Sequence, residues 1–295
     1  MSNFSSGAAT DTGMIRERNE DRYWIDAERG VFLVVDGIGG QAAGELAAQT
    51  AVDAIRETLF REPGDGERRV REAIADANNR IFELAQEEPE FQGMACVLTL
   101  ALVEDGQITI GHVGDSRLYL IWNGAIRKLT SDHSPVGEGE DNGELSEQEA
   151  MLHPRRNEVF RDVGSCPRMA DDREFIEIRK CRFRPDAAIL LCSDGLSDHL
   201  TSAQVREIVE SYDGDALRVA CDLVEAANQA GGKDNITAMF VAGPEYRGRN
   251  GATRPRFSTT RLRRPGRLLT GRMAFLTYGL LIGMLLWAVM HIARG

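Results

Sequence analysis

The chain has 295 residues, 42% apolar and 27% charged; this suffices for one large core and excludes collagen-like, low-complexity and disordered classes for its body. Ten arginines after residue 245, opposed by no acid, hide within the net charge of −11 a body of −21 over residues 1–245. So acidic a body repels nucleic-acid phosphates and suits divalent cations, while five cysteines without a CxxC pair fit neither a disulfide scaffold nor a thiolate zinc site, and fit a reducing compartment.

Residues 1–13 are small and polar, so no signal peptide is expected. Tyr23–Ile25 is strand-like, and Val31–Val35 (VFLVV) is a short apolar strand. Helical spacing runs from Gly40 to Phe60 and again over residues 67–87, with Val70, Ile74, Ala77, Ile81 and Leu84 on one face. Strands are expected at Ala95–Val103, Gln107–Val113 and Ser116–Trp122. Asn123-Gly124 then turns the chain into a return strand, Ala125–Leu129. Residues 135–170 are polar and irregular, with a short helix beginning near Ser146. Strands at Glu174–Arg179 and Ala187–Cys192, helices at Thr201–Glu210 and Asp215–Ala230, and a last strand at Ile236–Val241 complete the body. Consecutive strands on short turns imply antiparallel sheets, and paired helices imply outer layers.

After the body, residues 246–272 carry nine arginines and no acid, without a hydrophobic period: a flexible basic linker lying on anionic lipid. Met273–Ala293 then runs for 21 residues without Asp, Glu, Lys or Arg, long enough to cross a bilayer as a helix, with Tyr278 and Trp287 as interface anchors. The arginines on its N-terminal side place the body in the cytoplasm. Residues 294–295 form a short tail. The expected organisation is thus one folded domain over 1–245, a linker, and a single-pass anchor in the cell (inner) membrane.

Acids stand where apolar runs end: Asp36 after Val31–Val35, Asp115 after ITIGHVG, Asp194 after AAILLCS, Asp234 before NITAMFV, and Glu20-Asp21 before YWI. Carboxylates gathered at the mouth of a core repel one another and lose hydration, and hard divalent cations are the usual remedy. Any one of these aspartates alone reads as well as a cap or turn residue. Gly37-x-Gly39-x-x-Ala42, with Glu57 downstream, also fits a dinucleotide fingerprint, but Asp36 would repel a pyrophosphate and the later strands are not βαβ units. No Cys-x5-Arg nucleophile loop, GxxxxGK[ST] or DxDx[TV] occurs.

Taken together, GMIRERNEDRY (13–23), VVDGIGG (34–40), GHVGDSRLYL (111–120), LTSDHS (129–134), LLCSDGLSD (190–198) and GGKDNITAMFV (231–241) resemble, in order, the motifs of the metal-dependent Ser/Thr protein phosphatases, the PPM or type 2C family, in its bacterial branch. The resemblance spans about residues 5–243. It implies an α+β fold, a four-layer α-β-β-α sandwich of two antiparallel sheets flanked by helices, with two Mn²⁺ or Mg²⁺ ions at one end and a third, weaker ion beside them. In that pattern Asp36 bridges both ions and Gly37 offers its carbonyl. Asp194 and Asp234 hold the first ion. Glu20 serves the second through water, with Asp21 in the surrounding metal set. Asp115 and Asp198 hold the third ion. Arg16 binds the phosphate, and Asn235 is the polar partner beside the last ligand.

The chain departs from the pattern at two places. Ile38 stands where many relatives have a histidine read as a proton donor, so the general acid is unassigned. Met94–Val97 replaces a Gly-Thr-Thr and is expected to alter core contacts only. His133 reads as a structural or rim residue rather than a catalyst. Residues 135–170 match a variable flap, and Pro154-Arg155-Arg156-Asn157 is expected to touch substrate. The implied activity is removal of phosphate from phosphoserine or phosphothreonine on partner proteins, opposing a Ser/Thr kinase at the same membrane. The competing reading is a membrane-tethered pseudophosphatase that binds phosphosites without hydrolysing them.

Overall fold

The run Val31–Val35 lacks polar alternation because both of its faces are covered. Phe32 and Val34 pack into an apolar layer between two sheets, while Val31, Leu33 and Val35 pack into a second layer beneath helices. In the computed structural model, which describes residues 4–39, 43–61 and 64–249, this pattern recurs in the inner strands. One sheet orders β2 (Arg22–Asp26), β3 (Val31–Ile38), β4 (Ala95–Glu104), β5 (Gln107–Val113) and β8 (Glu177–Arg182). The other orders β1 (Ser5–Asp11), β10 (Ile236–Ala242), β9 (Ala188–Cys192), β6 (Arg117–Trp122) and β7 (Ala125–Lys128). Every strand pair is antiparallel.

Helices α1 (Ala43–Thr58) and α2 (Gly66–Glu87) cover the first sheet; α6 (Ser202–Val209) and α7 (Ala216–Gln229) cover the second, the single turn α5 (Asp194–Ser197) leading from β9 toward α6. The result is a four-layer α-β-β-α sandwich. Each fully buried Leu, Ile, Val or Phe in its three apolar layers contributes about 1.5–3 kcal/mol against the entropy of ordering the chain. Helix ends follow their caps: Asp65, Thr201 and Asp215 each accept an N–H of the first turn with the side chain.

Several expectations shift. The small polar N-terminus forms β1, a strand its composition does not announce. It is held by pairing with β10 from Ser5↔Ala242 to Asp11↔Ile236, and α7 lies so close that a Cβ on Gly7 would stand 2.3 Å from the Leu217 nitrogen. Small side chains here are what that approach requires. The strand expected at Glu174–Arg179 begins at Glu177, because Phe175 and Ile176 turn into the helix-side core first. The irregular stretch 135–170 contains α3 (Pro135–Asp141) as well as α4 (Glu147–Met151), started by Pro135 and by the Ser134 hydroxyl accepting the Gly137 N–H. The body also runs past residue 245: Tyr246 is buried against Tyr212 and Phe240, and the Arg249 N–H reaches Glu210. The rest of the basic stretch and the apolar segment 273–293 lie outside the described residues. Among the described residues no helix is long and apolar enough to cross a membrane.

Candidate active site

Antiparallel order fixes where the acids meet. One end of the sandwich receives the C-terminal ends of β3, β5 and β9 and the N-terminal ends of β2, β6 and β10. Asp36, Asp115, Asp194, Asp21 and Asp234 all stand at those ends. Both sheets therefore supply carboxylates to one mouth. Burial pushes Asp36 well above the ordinary carboxylate range, and the charges of Asp21, Asp194, Asp115 and Asp234 push it further. Asp194 is raised likewise, by burial and then by Asp115, Asp198 and Asp234. Burial raises Asp115 to about 7, reinforced by Asp132 and Asp198. Asp198 is raised by burial against the opposing pull of Arg156. Glu20 is raised by burial although Arg16 opposes it.

Asp21 ties the sheets together beneath this cluster. Its Oδ2 accepts the Ser193 hydroxyl at 2.7 Å and the Thr237 hydroxyl at 2.6 Å, and Ser193 Oγ in turn accepts the Thr237 N–H. Burial still raises Asp21 to about 6. Its other oxygen, Oδ1, is buried with no hydrogen-bond partner among the described residues.

Gly37 lies where chain segments crowd: a Cβ there would stand 2.2 Å from the Gly44 carbonyl and 2.9 Å from that of Glu20. The loop before β2 is pinned by Asn235, whose Oδ1 accepts the Glu20 N–H at 2.8 Å and whose Nδ2 donates to the carbonyls of Thr12 and Arg18. That loop carries Arg16, which is half exposed and donates to Asp234 Oδ2 at 2.8 Å. The residues expected to hold metal or phosphate thus meet at one mouth, from Arg16 at its rim to Asp198 at the far edge.

This donor set fits hard divalent cations. The groups are oxygens from several segments, their negative charges face one another, and one buried carboxylate oxygen lacks a partner. Among the described residues no Lys or Arg ion pair reaches Asp36 or Asp194; the guanidinium groups of Arg16 and Arg156 engage only Asp234 and Asp198 at the edges.

Other residues at the site carry weaker sequence signals. Ser193 and Thr237 flank the acids as ordinary strand-end hydroxyls. His199 joins two loops, its Nδ1 on the Gly195 carbonyl at 2.8 Å and its Nε2 accepting the Lys233 N–H. Arg117 lies buried behind Asp115, paired with Asp132 and Glu140 at 2.6 and 2.7 Å. In the turn expected to touch substrate, Arg155 pairs locally with Glu158 whereas Arg156 turns inward to Asp198. His133 is buried; its Nδ1 accepts the Gly114 N–H at 3.0 Å, and burial, with His112 and Arg161 nearby, lowers it to about 3. It holds the Gly114–Asp115 turn as a neutral ring. His112, His133 and Glu177 gather closely enough for a metal, but Arg161 Nη1 stands 3.0 Å from His133 Nε2, where a cation would have to sit.

Comparison with known proteins agrees with this geometry. Residues 16–239 match the family model described as protein phosphatase 2C. The serine/threonine phosphatase stp of Listeria monocytogenes is 35% identical over 241 residues, 79% of this chain and 93% of that one. The crystal structure of the Mycobacterium tuberculosis serine/threonine phosphatase PstP/Ppp superposes with a TM-score of 0.72 at 29% identity, covering 81% of this chain and 98% of the other. A PstP catalytic domain in complex with two manganese ions superposes at 0.70 with 28% identity, covering 81% of this chain and 97% of that one. The motifs, the sandwich and the shared length agree, and the chain belongs to the bacterial branch of the protein phosphatase 2C family.

Proposed function

We propose that the chain is a metal-dependent protein-serine/threonine phosphatase tethered to the cytoplasmic face of the cell membrane. The observation that carries the catalytic part is the convergence of buried carboxylates from both sheets beside a half-exposed arginine. Asp36, Asp194, Asp234, Glu20 and the Gly37 carbonyl would hold two Mn²⁺ or Mg²⁺ ions, with Asp21 behind them. Once bound, such a pair neutralises phosphate charge and makes a water nucleophilic at neutral pH.

The chain's own residues do the rest. Arg16, released from Asp234, offers two parallel N–H groups to phosphate oxygens and sets the phosphorus in line. Asn235 holds the loop that aims Arg16 and Glu20. Asp21, locked by Ser193 and Thr237, keeps the two sheets in register under the site. Ile38 contributes no proton, so the leaving serine or threonine oxygen takes its proton from water. A phosphate already carrying negative charge would be repelled by this mouth without cations, which makes activity strictly metal-dependent.

The tether rests on the apolar run 273–293 and the arginines before it. A Ser/Thr kinase at the same membrane is the activity this enzyme would oppose. Phosphate release from a phosphothreonine peptide by the full chain, with Mn²⁺ and with EDTA, tests the catalytic reading. Asp36→Asn should lower the rate by about a thousandfold or more if the metal supplies several kcal/mol to the transition state. Tight phosphopeptide binding without release, by folded and metal-loaded protein, would instead establish a pseudophosphatase. Membrane fractionation of the full chain against a chain ending at residue 272 tests the tether; equal recovery in the soluble fraction sinks it.

A further inference from the structure

The loop between β1 and β2, which presents Arg16, is clamped on both sides of that residue. Before it, the Gly13 N–H donates to Asp11 Oδ1 at 2.9 Å and the Met14 N–H to the Gly232 carbonyl at 2.7 Å. Gly13 has a φ of +78°, and a Cβ there would stand 2.1 Å from the Asp234 carbonyl oxygen, so the loop is pressed against the segment that carries Asp234. After it, the Arg18 carbonyl accepts from Asn235 Nδ2 at 2.8 Å. The two residues before Arg16 are apolar and open to solvent: Met14 is 44% exposed and Ile15 67%. Met14 lies over Gly232, its Cγ 2.9 Å from where a Cβ on that glycine would be, and Ile15 stands out beyond it. Single exposed apolar residues are ordinary on a protein surface. Among the large apolar side chains exposed on the described residues, however, no other two are neighbours in the chain. This pair is held rigidly beside the arginine of the mouth, where a bound substrate continues away from its phosphate.

We propose that Met14 and Ile15 form a specificity shelf that receives an apolar side chain next to the phosphothreonine or phosphoserine of the substrate. The inference rests on the phosphatase reading and deepens it. Consecutive Cα atoms lie about 3.8 Å apart in any chain. A peptide whose phosphate is gripped by Arg16 therefore carries its flanking side chains past the residues next to Arg16. An apolar flank that settles on Ile15 takes both surfaces out of water. A serine flank gains little there. An acidic flank meets an apolar surface and, beyond it, the like charges of Asp234 and Glu20 around the Arg16 guanidinium. Because the clamps already hold the loop, little ordering entropy opposes the contact. The shelf touches the peptide equally before and during reaction, so it acts on KM and leaves kcat. Met14 and Ile15 select the substrate and take no part at the reacting atoms.

The test is steady-state phosphate release by the full chain in detergent with Mn²⁺. The substrates are phosphothreonine peptides that differ only in a Leu, Ser or Asp on either side of the phosphothreonine, and a capped phosphothreonine without flanking residues. On wild type, kcat/KM should be about tenfold higher with Leu than with Ser on at least one side, through KM, and lower still with Asp. Ile15→Ser should cut that preference to about twofold, and the double variant Met14→Ser, Ile15→Ser should abolish it, whereas Ile15→Leu should keep it. All three variants should hydrolyse the capped phosphothreonine as wild type does. Ile15→Lys should raise the Asp peptide above the Ser peptide. Equal kcat/KM for Leu and Ser peptides on wild type, an undiminished Leu preference in the double variant, or a parallel loss on the capped phosphothreonine would overturn the shelf and leave the phosphatase standing. No release from any of these substrates by folded, Mn²⁺-loaded protein would overturn both.

Discussion

Asn235 Oδ1 accepts the backbone N–H of Glu20 at 2.8 Å, although 215 residues separate them in the chain. Its amide nitrogen donates to the Thr12 and Arg18 carbonyls, so a single side chain next to Asp234 organises the whole loop that presents Arg16 and Glu20. Asn235→Ala removes all three contacts and should lower kcat/KM about 10–100-fold, the usual effect of losing the group that orients a ligand. Mn²⁺ affinity should fall with it. Asn235→Asp keeps an acceptor for Glu20 but turns the donating nitrogen into an oxygen that faces both carbonyls, so it should not rescue. Wild-type kinetics in either variant would show that the loop is held by other means.

The carboxylate cluster makes the metal-free protein pay for its own site. Asp36, Asp194, Asp115 and Asp21 all titrate above their unfolded values, Asp115 near 7 and Asp21 near 6. Between the unfolded value of about 4 and those folded values the native state binds more protons than the unfolded one, so stability falls as pH rises. In EDTA the thermal midpoint should therefore drop from pH 5 to pH 8. Excess Mn²⁺ should raise it most at the alkaline end, where the carboxylates are ionised. Asp194→Asn should be inactive yet more stable than wild type without metal; each kcal/mol relieved raises the midpoint by about 2–4 °C in a domain of this size. A midpoint that rises with pH in EDTA would contradict the clustered charges.

How far the sequence reveals all this depends on what each signal measures. Val31–Val35 and Ala188–Cys192 are legible because strands covered on both faces must be apolar without interruption. The acids at their ends are legible because charge at the end of such a run is costly without a purpose. Strand β1 is not: Ser5–Asp11 has little strand propensity, and its conformation comes from pairing with β10 and the close approach of α7. The inward turn of Arg156 was equally hidden, since Arg155 and Arg156 look alike until the fold brings Asp198 to one of them. Ser193 and Thr237 were missed for the same reason: their role toward Asp21 exists only across two sheets.

His133 invites a catalytic role by its place in SDHS, and its environment denies it one. A ring that accepts the Gly114 N–H and is lowered by burial to about 3 is neutral throughout the range where a phosphatase works. His133→Asn, which retains an acceptor for Gly114, should keep kcat within about tenfold of wild type, less than the 10²–10⁴-fold that removal of a general acid or base costs. The pH–rate profile should keep both of its limbs. Loss of a limb between pH 5 and 8 would return His133 to the chemistry.

Arg117 is the charge on which the flap's first helix depends. Its guanidinium is buried and pairs with Asp132 at 2.6 Å and with Glu140 of α3 at 2.7 Å, while Lys128 holds the other Asp132 oxygen at 3.3 Å. Arg117→Met fits the space but strands Asp132 and Glu140 beside Asp115 with Lys128 as their remaining neutralising charge. Breaking a buried pair from one side costs about 3–5 kcal/mol. Unfolding in urea should show a loss of that order, together with faster hydrogen exchange over residues 135–141. Replacing Glu140 alone, as Glu140→Gln, leaves Arg117 paired with Asp132 and should loosen α3 at much smaller cost. If Arg117→Met unfolds like wild type and α3 exchanges no faster, the flap is held by its apolar contacts and not by this charge.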